Sequence, residues 1–231
     1  PYFVDSVKVT IYFSFIAVIG SMIYSLAIAL LLNRKIPARG FFRAVFYLPY
    51  VLPAMAVYIG WSWLYEANFG LFNYILSLLG IHKLKFIASS ELVVPSLALI
   101  AVWLSGNLIV IFLAGLQNVP RVYHEAAEID GANGFQRALY ITLPLIKNAM
   151  LVCITLCVAG NMKAFDNIFV MTKGGPGTAS MVMAMYGYQV SFNQSNMGYG
   201  SCISVGIFVL SLLVIGGAQG IVKLISREKE A

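Results

Sequence analysis

Five runs of mainly apolar residues, each about 20 or more long and so able to cross the hydrocarbon core of a bilayer as a helix, constrain this chain more than anything else in it. They cover Thr10 to Leu32, Phe42 to Tyr65, Leu92 to Gly115, Leu145 to about Phe165, and Cys202 to Ile225. The connections Asn33 to Phe41, Glu66 to Glu91, the central loop and Lys163 to Ser201 are too short for a soluble domain of any size. The expected fold class is therefore all-α: one polytopic transmembrane domain over residues 1–231, with five transmembrane helices visible. Composition agrees, since 60% of residues are hydrophobic and 10% charged, against about a quarter charged in soluble domains.

Lysine and arginine set the orientation, because cytoplasmic loops collect them. One side carries ten, Arg34, Lys35, Arg39, Arg43, Arg121, Arg137, Lys147, Lys223, Arg227 and Lys229; the other carries five, Lys8, Lys83, Lys85, Lys163 and Lys173. That places the central loop and the C-terminus in the cytoplasm. The chain starts at Pro1 on the outer side, without a methionine, so the sequence is expected to lack a first span of a six-span whole. The net charge of +6 belongs to this topology and not to nucleic acid, because the cations are spread through membrane-flanking loops. Cys153, Cys157 and Cys202 sit in apolar stretches without metal-site spacing and act as small hydrophobes.

Within the spans, Pro49 and Pro53 of FYLPYVLPAM each remove a backbone donor, predicting a kink or local unwinding. Gly20, Ser21, Ser25, Ala27 and Ala29 give the first span a small-residue surface for close helix packing. Polar groups inside a span face the protein interior or a water path. The candidates for a solute path on this ground are Trp103 and Asn107 in the third span and Asn161, Lys163, Asp166 and Asn167 in the outer half of the fourth. Asn107 must find a neighbouring helix or a solute, and Asn161 is the better solute candidate. Lys163 and Asp166, three apart, have a plainer fate: to pair, or for Lys163 to reach the outer interface. Gly174, Gly175, Pro176 and Gly177 then force a tight turn. The Met- and Tyr-rich piece that follows is expected at the outer interface, so that about 166–201 forms an outer loop with an interfacial helix.

The central loop, about 119–144, is the one long polar run between two spans. Pro120 suits the first position of a helix running from Arg121 to about Asp130, and Gly131 suits its C-terminal stop. Tyr123, Ala126, Ala127 and Asp130 fall at spacings of three or four, a face of small residues with one carboxylate. A second short helix, Gly134 to about Ile141, should follow, with Pro144 at the entry to the next span. Two short helices lying across the membrane surface have the look of a docking element.

The order Glu125-Ala126-Ala127, then Asp130-Gly131-Ala132, then Ile141, Leu143 and Pro144 resembles the EAA motif of the membrane subunits of bacterial ABC importers. LNRKIPARGFFRAVFYLPYVLP and the GGPG turn are similar to the maltose- and glycerol-phosphate-type permeases of the carbohydrate-uptake branch, and the resemblance covers essentially the whole chain. It implies a sugar or oligosaccharide importer of the type I permease fold in the bacterial cytoplasmic membrane, with a core of six spans. The implied partners are a second related permease, two cytoplasmic ATPase subunits that bind the ATP and Mg, and an extracytoplasmic solute-binding protein. No cofactor is bound by this chain, and no metal. The resemblance makes the central loop the coupling helix, with Glu125 contacting a basic group of the ATPase, Ala126, Ala127 and Gly131 packing closely against it, and Asp130 pairing or capping.

Enzyme readings find no support. His124 and Glu125 open HEAAE, which lacks the second histidine of HExxH, and TKGGPG lacks the order of a phosphate-binding loop. Two alternatives stay open: an amino-acid or peptide ABC permease, which would share the central loop but not GGPG and LPYVLP, and an ion-coupled secondary transporter using Lys163 and Asp166, which would call for an internal repeat.

Overall fold

The computed structural model describes residues 2–34 and 36–227. Lys35 and Lys229, counted above for orientation, lie outside them, as do the side chains of Arg121, Lys223 and Arg227. Thirteen α-helices, in places joined by π-helical turns, make up the ordered elements among the described residues. The first span is α1, Tyr2–Asn33, and it is the element around which the others pack. Its buried residues Ala17, Ser21, Ser25 and Ala29 recur at intervals of four, forming a stripe of small side chains against α5 (Val93–Trp103), α6 (Gly106–Gln117) and α10 (Lys147–Met162). Small residues let backbones approach where lipid offers no hydrophobic drive between helices. Ala27, expected on that surface, is exposed instead.

The second span is two helices, α2 (Arg39–Val51) and α3 (Ala54–Leu64), meeting at 95°. Pro49 sits inside α2 and is buried, while the chain breaks at Leu52, whose ψ of 146° is extended. A residue preceding proline is pushed out of the helical region, so Pro53 sets the break and then caps α3. The expected kink is thus close to a right angle. The third span also breaks, between α5 and α6, by 49°. Here the cause is a pair of buried hydroxyls: Ser25 Oγ lies 2.9 Å from Ser105 Oγ, and Ser105 Oγ donates back to Val102 O at 2.6 Å. Gly106 follows, where an added Cβ would stand 2.8 Å from the Phe46 carbonyl oxygen, so α2 and α6 touch nearly backbone to backbone.

Between α3 and α5, the short helix α4 (Leu71–Leu78) belongs to a well-tied connecting loop. Asn73 is buried and bonds the carbonyls of Glu66, Ala67 and Leu84 and the amide of Leu84. After α6 the central loop holds α7 (Arg121–Ile129) and α8 (Gly134–Arg137). A π-helical turn over Ala138–Thr142 and the single turn α9 (Leu143–Leu145) lead into α10. The widened turn adjoins Pro144, which has no amide to give the preceding turn.

The fourth span is α10 with α11 (Asp166–Met171), interrupted at Lys163–Phe165. After the glycine turn come α12 (Met183–Tyr188), a π-helical turn over Gln189–Asn193, and the last span α13 (Met197–Arg227). The Met- and Tyr-rich piece, expected at the interface, packs against its own bundle: α12 is tucked between α1 and α13, with Met183, Met185 and Val190 buried. Its entry is fixed by Thr10 Oγ1, which accepts from the Met183 amide at 2.8 Å. Methionine fills irregular gaps well, and Gly187 and Gly200 let the segment close on Ile203 and Ser191.

Two core clusters stack along the bundle. One joins the start of α1 to α5, α11 and α12 through Phe13, Val94, Leu97, Ile168 and Met185. The other joins the end of α1 to the end of α6 and the start of α10 through Leu32, Leu116 and Ile146. The central loop and the Arg34–Arg43 connection therefore lie at the same end.

Candidate functional site

The central loop is built as a hydrogen-bonded clip. Pro120 precedes α7 as its extended N-cap residue, with ψ of 135°, one position earlier than the helical place expected for it. At the other end Gly131 adopts φ of +77°. The amide of Gly131 donates to Glu128 O at 3.1 Å and that of Ala132 to Ala127 O at 2.9 Å, the paired closure of a Schellman motif. Two residues on, Asn133 and Gln136 form a reciprocal capping box at 2.8 and 2.9 Å, and Arg137 Nη1 donates to Glu128 Oε2 at 3.1 Å.

Glu125, Ala126 and Asp130 are exposed on this clip. Ala127 is not: it is only 7% exposed, so the face open to a partner excludes it. Around the open residues stand apolar side chains that the small-residue reading missed, above all Ile129 at 87% exposed and Phe135 at 77%. Exposed apolar side chains in a loop between spans, Val122 at 70% among them, were the available signal.

The path candidates separate into two places. Asn107, Asn161, Lys163, Asp166 and Asn167 line one cavity of about 440 Å³, together with Ser21, Tyr58 and Phe165. It lies where the two core clusters meet, since Phe13 of one and Leu108 and Cys157 of the other also border it. Backbone breaks put the polar groups there. Asn107 follows the bend at Ser105, and Lys163 through Phe165 form the interruption after which Asp166 opens α11.

Trp103 stands apart from this cavity. Its ring packs 5.6 Å from Trp61, in an aromatic group with Tyr65, Phe72 and Phe86 that supports the loop of α4. Nor do Lys163 and Asp166 pair with each other. The ion pairs among the described residues are Asp5–Lys8 and Glu128–Arg137, and both cavity charges are exposed. The Asn161 amide donates to Cys157 O at 2.9 Å, which orients the side chain and leaves its Oδ1 as an acceptor. Asn167 is buried, and its Oδ1 accepts from the Ile168 amide at 3.0 Å. Ser21, Tyr58 and Ser105 are cavity residues that the reading by intramembrane charge and amide passed over, because hydroxyls are common on packed spans.

Such a cavity offers neutral donors and acceptors, aromatic faces at Phe13, Tyr58 and Phe165, and one charge of each sign. It has the chemistry to hold a polar, uncharged solute by several hydrogen bonds at once.

The family described as "Binding-protein-dependent transport system inner membrane component" matches residues 16–227. Among curated proteins, the chain is 36% identical to the trehalose/maltose transport system permease protein MalF of Thermococcus litoralis, over 90% of this chain and 70% of that one. It is 31% identical to the sulfoquinovosyl glycerol transport system permease protein SmoG of Agrobacterium fabrum, over 93% and 70%. Among solved structures, a bacterial ABC transporter involved in importing the acidic polysaccharide alginate shares the fold, with a TM-score of 0.83 at 20% identity over 99% of this chain and 80% of that one. An amino acid ABC transporter aligns with a TM-score of 0.59. With a matched family model across nearly its whole length, the type I permease fold and several apolar membrane-spanning helices, this chain belongs to the inner-membrane permease subunits of binding-protein-dependent ABC transporters.

Proposed function

We propose that this chain is the transmembrane subunit of an importer that carries a sugar or oligosaccharide across the cytoplasmic membrane by alternating access. It works with a second permease, two cytoplasmic ATPases that bind ATP and Mg, and an extracytoplasmic solute-binding protein. The observation that carries the reading is one of connectivity: the rigid clip of α7 and α8 is joined directly to α6 and leads into α10, the helices that bring Asn107 and Asn161 to the cavity. A push on the clip is therefore delivered to two walls of the cavity. Rigidity matters because a floppy loop would absorb the displacement.

In this mechanism the exposed residues Glu125, Ala126, Asp130, Ile129 and Phe135 dock on the ATPase, Glu125 through a charge-assisted contact to a basic group. Closure of the ATPases shifts α6 against α10 and opens the cavity outward. Solute handed over by the binding protein is held by the Asn107 amide, Asn161 Oδ1 and the hydroxyls of Ser21 and Tyr58. The neutral character of most of these groups and the names of the curated relatives support a sugar. The C-terminus and the clip are cytoplasmic in this reading, as the basic-residue count requires.

The test is reconstitution of the full-length permease with its partner subunits in vesicles, with ATP hydrolysis measured against a panel of loaded binding proteins. Stimulation by an oligosaccharide-loaded protein is the expected result. Uptake driven by an ion gradient without ATP would overturn it and favour Lys163 and Asp166 as an ion site.

A further inference from the structure

At the end of the bundle where α1 stops and α2 begins, a cleft of about 200 Å³ opens between α1, α2 and α6. Its walls are mostly aliphatic, with Leu32, Ile109, Val110 and Leu113 among them, and its polar side chains are Arg43, Tyr47 and Gln117. Arg43 Nε is covered from solvent and has no hydrogen-bond partner. One helical turn away, Arg39 donates through Nε to Leu32 O at the end of α1, but its Nη2 is likewise covered and unpartnered. Among the described residues, neither guanidinium has a carboxylate within ion-pair reach. Leaving charged donors buried and unpaired is costly, and two arginines four residues apart on one helix face present those donors together.

We propose that this cleft binds the headgroup phosphate of an anionic phospholipid from the leaflet that meets this end of the bundle. Arg43, which lines the cleft, satisfies phosphate oxygens with Arg39 adding its charge from one turn away, and Gln117 is placed to bond the glycerol. The aliphatic wall, with the exposed Phe42, Val45 and Leu48 beside it, takes the start of an acyl chain. The pairing of cationic donors with an apolar wall selects an amphiphile over a free anion, and basic clefts between spans suit anionic headgroups. Nothing in this depends on what the transporter carries.

The experiment uses the assembled transporter in nanodiscs of phosphatidylcholine mixed with phosphatidylglycerol, followed by native mass spectrometry of retained lipid. Wild type is expected to retain phosphatidylglycerol in preference to phosphatidylcholine. Arg43→Gln should lower that retention about fivefold, the effect of one basic group at a lipid phosphate. Arg43→Lys, which keeps the charge and is safer for folding, should fall between the two. Equal retention of both lipids by wild type, or unchanged retention in Arg43→Gln, would overturn the proposal. So would full displacement of the lipid by millimolar inorganic phosphate, which would assign the site to a free anion. A carboxylate of the second permease found paired to Arg43 in the assembled transporter would assign it to the subunit interface.

Discussion

Glu128 and Arg137 close the turn between α7 and α8, the Glu128 carboxylate accepting from Arg137 at 3.1 Å across the eight residues between them, which hold both a Schellman closure and a capping box. The ion pair itself is largely solvated, with Glu128 72% exposed, so it contributes well under about 1 kcal/mol. Gly131 matters more. Its φ of +77° costs most residues about 1–2 kcal/mol, while asparagine tolerates that region. An added Cβ there meets nothing within 4 Å, so the penalty is conformational and not steric. Gly131→Val should uncouple ATP hydrolysis from transport with membrane insertion intact, and Gly131→Asn should stay near wild type. Transport assays on both variants at matched expression check this, and equal activity of the valine variant would argue against a rigid clip.

Asn161 is held by its own helix through Cys157 O at 2.9 Å, which leaves one acceptor for the cavity. Asn161→Ala should weaken solute transport by about 5–15-fold in apparent affinity, the loss expected of one hydrogen bond of about 1–1.5 kcal/mol. The ATPases should remain bound. Transport KM together with co-purification of the ATPases separates a cavity role from a structural one.

The spans and the clip were legible in the sequence because their signals are local: apolar length, the proline before α7, the glycine after it, and the spacing of Glu125, Asp130 and Pro144. What escaped depends on contacts between distant residues. The 49° bend in the third span follows from Ser105 meeting Ser25, 80 positions earlier. The burial of α12 follows from Thr10 capping Met183, 173 positions away. Lys163 and Asp166, three apart, read as a pair on a continuous helix, but the interruption at Lys163–Phe165 removes the helical spacing that would have joined them. Trp103 read as a path residue by position, and the sequence held no sign of its packing with Trp61 in a separate aromatic group.

Gly106 permits the near contact of α6 with α2, since a Cβ would lie 2.8 Å from the Phe46 carbonyl oxygen and 3.2 Å from Tyr47 Cα. Both are backbone atoms that cannot rotate aside. Gly106→Val should therefore cost about 1–3 kcal/mol by overpacking and lower the unfolding temperature of the purified transporter. Gly216→Val, which meets nothing within 4 Å, is the matched control and should leave it unchanged.

Glu66 organises the start of the loop between α3 and α5, its carboxylate accepting from the amides of Asn68 and Phe69. Those amide donors, Phe69 first and then Asn68, hold its pKa below the ordinary carboxylate value. A depressed folded pKa means that the ordering is fully present above the ordinary carboxylate range and is lost as pH falls through the lowered folded value. The group is solvent-exposed, so the effect is local and does not reach global stability. Hydrogen exchange at Asn68 and Phe69 should be slower in wild type than in Glu66→Gln at neutral pH, with the two converging once acid protonates the carboxylate. Asn73→Ala should speed exchange at Leu84 by removing its Oδ1 acceptor, 2.9 Å from that amide, at every pH. The two responses differ because only Glu66 titrates. Equal exchange in wild type and Glu66→Gln at every pH would mean that the loop is held by Asn73 and the aromatic group beneath it, with the carboxylate a bystander.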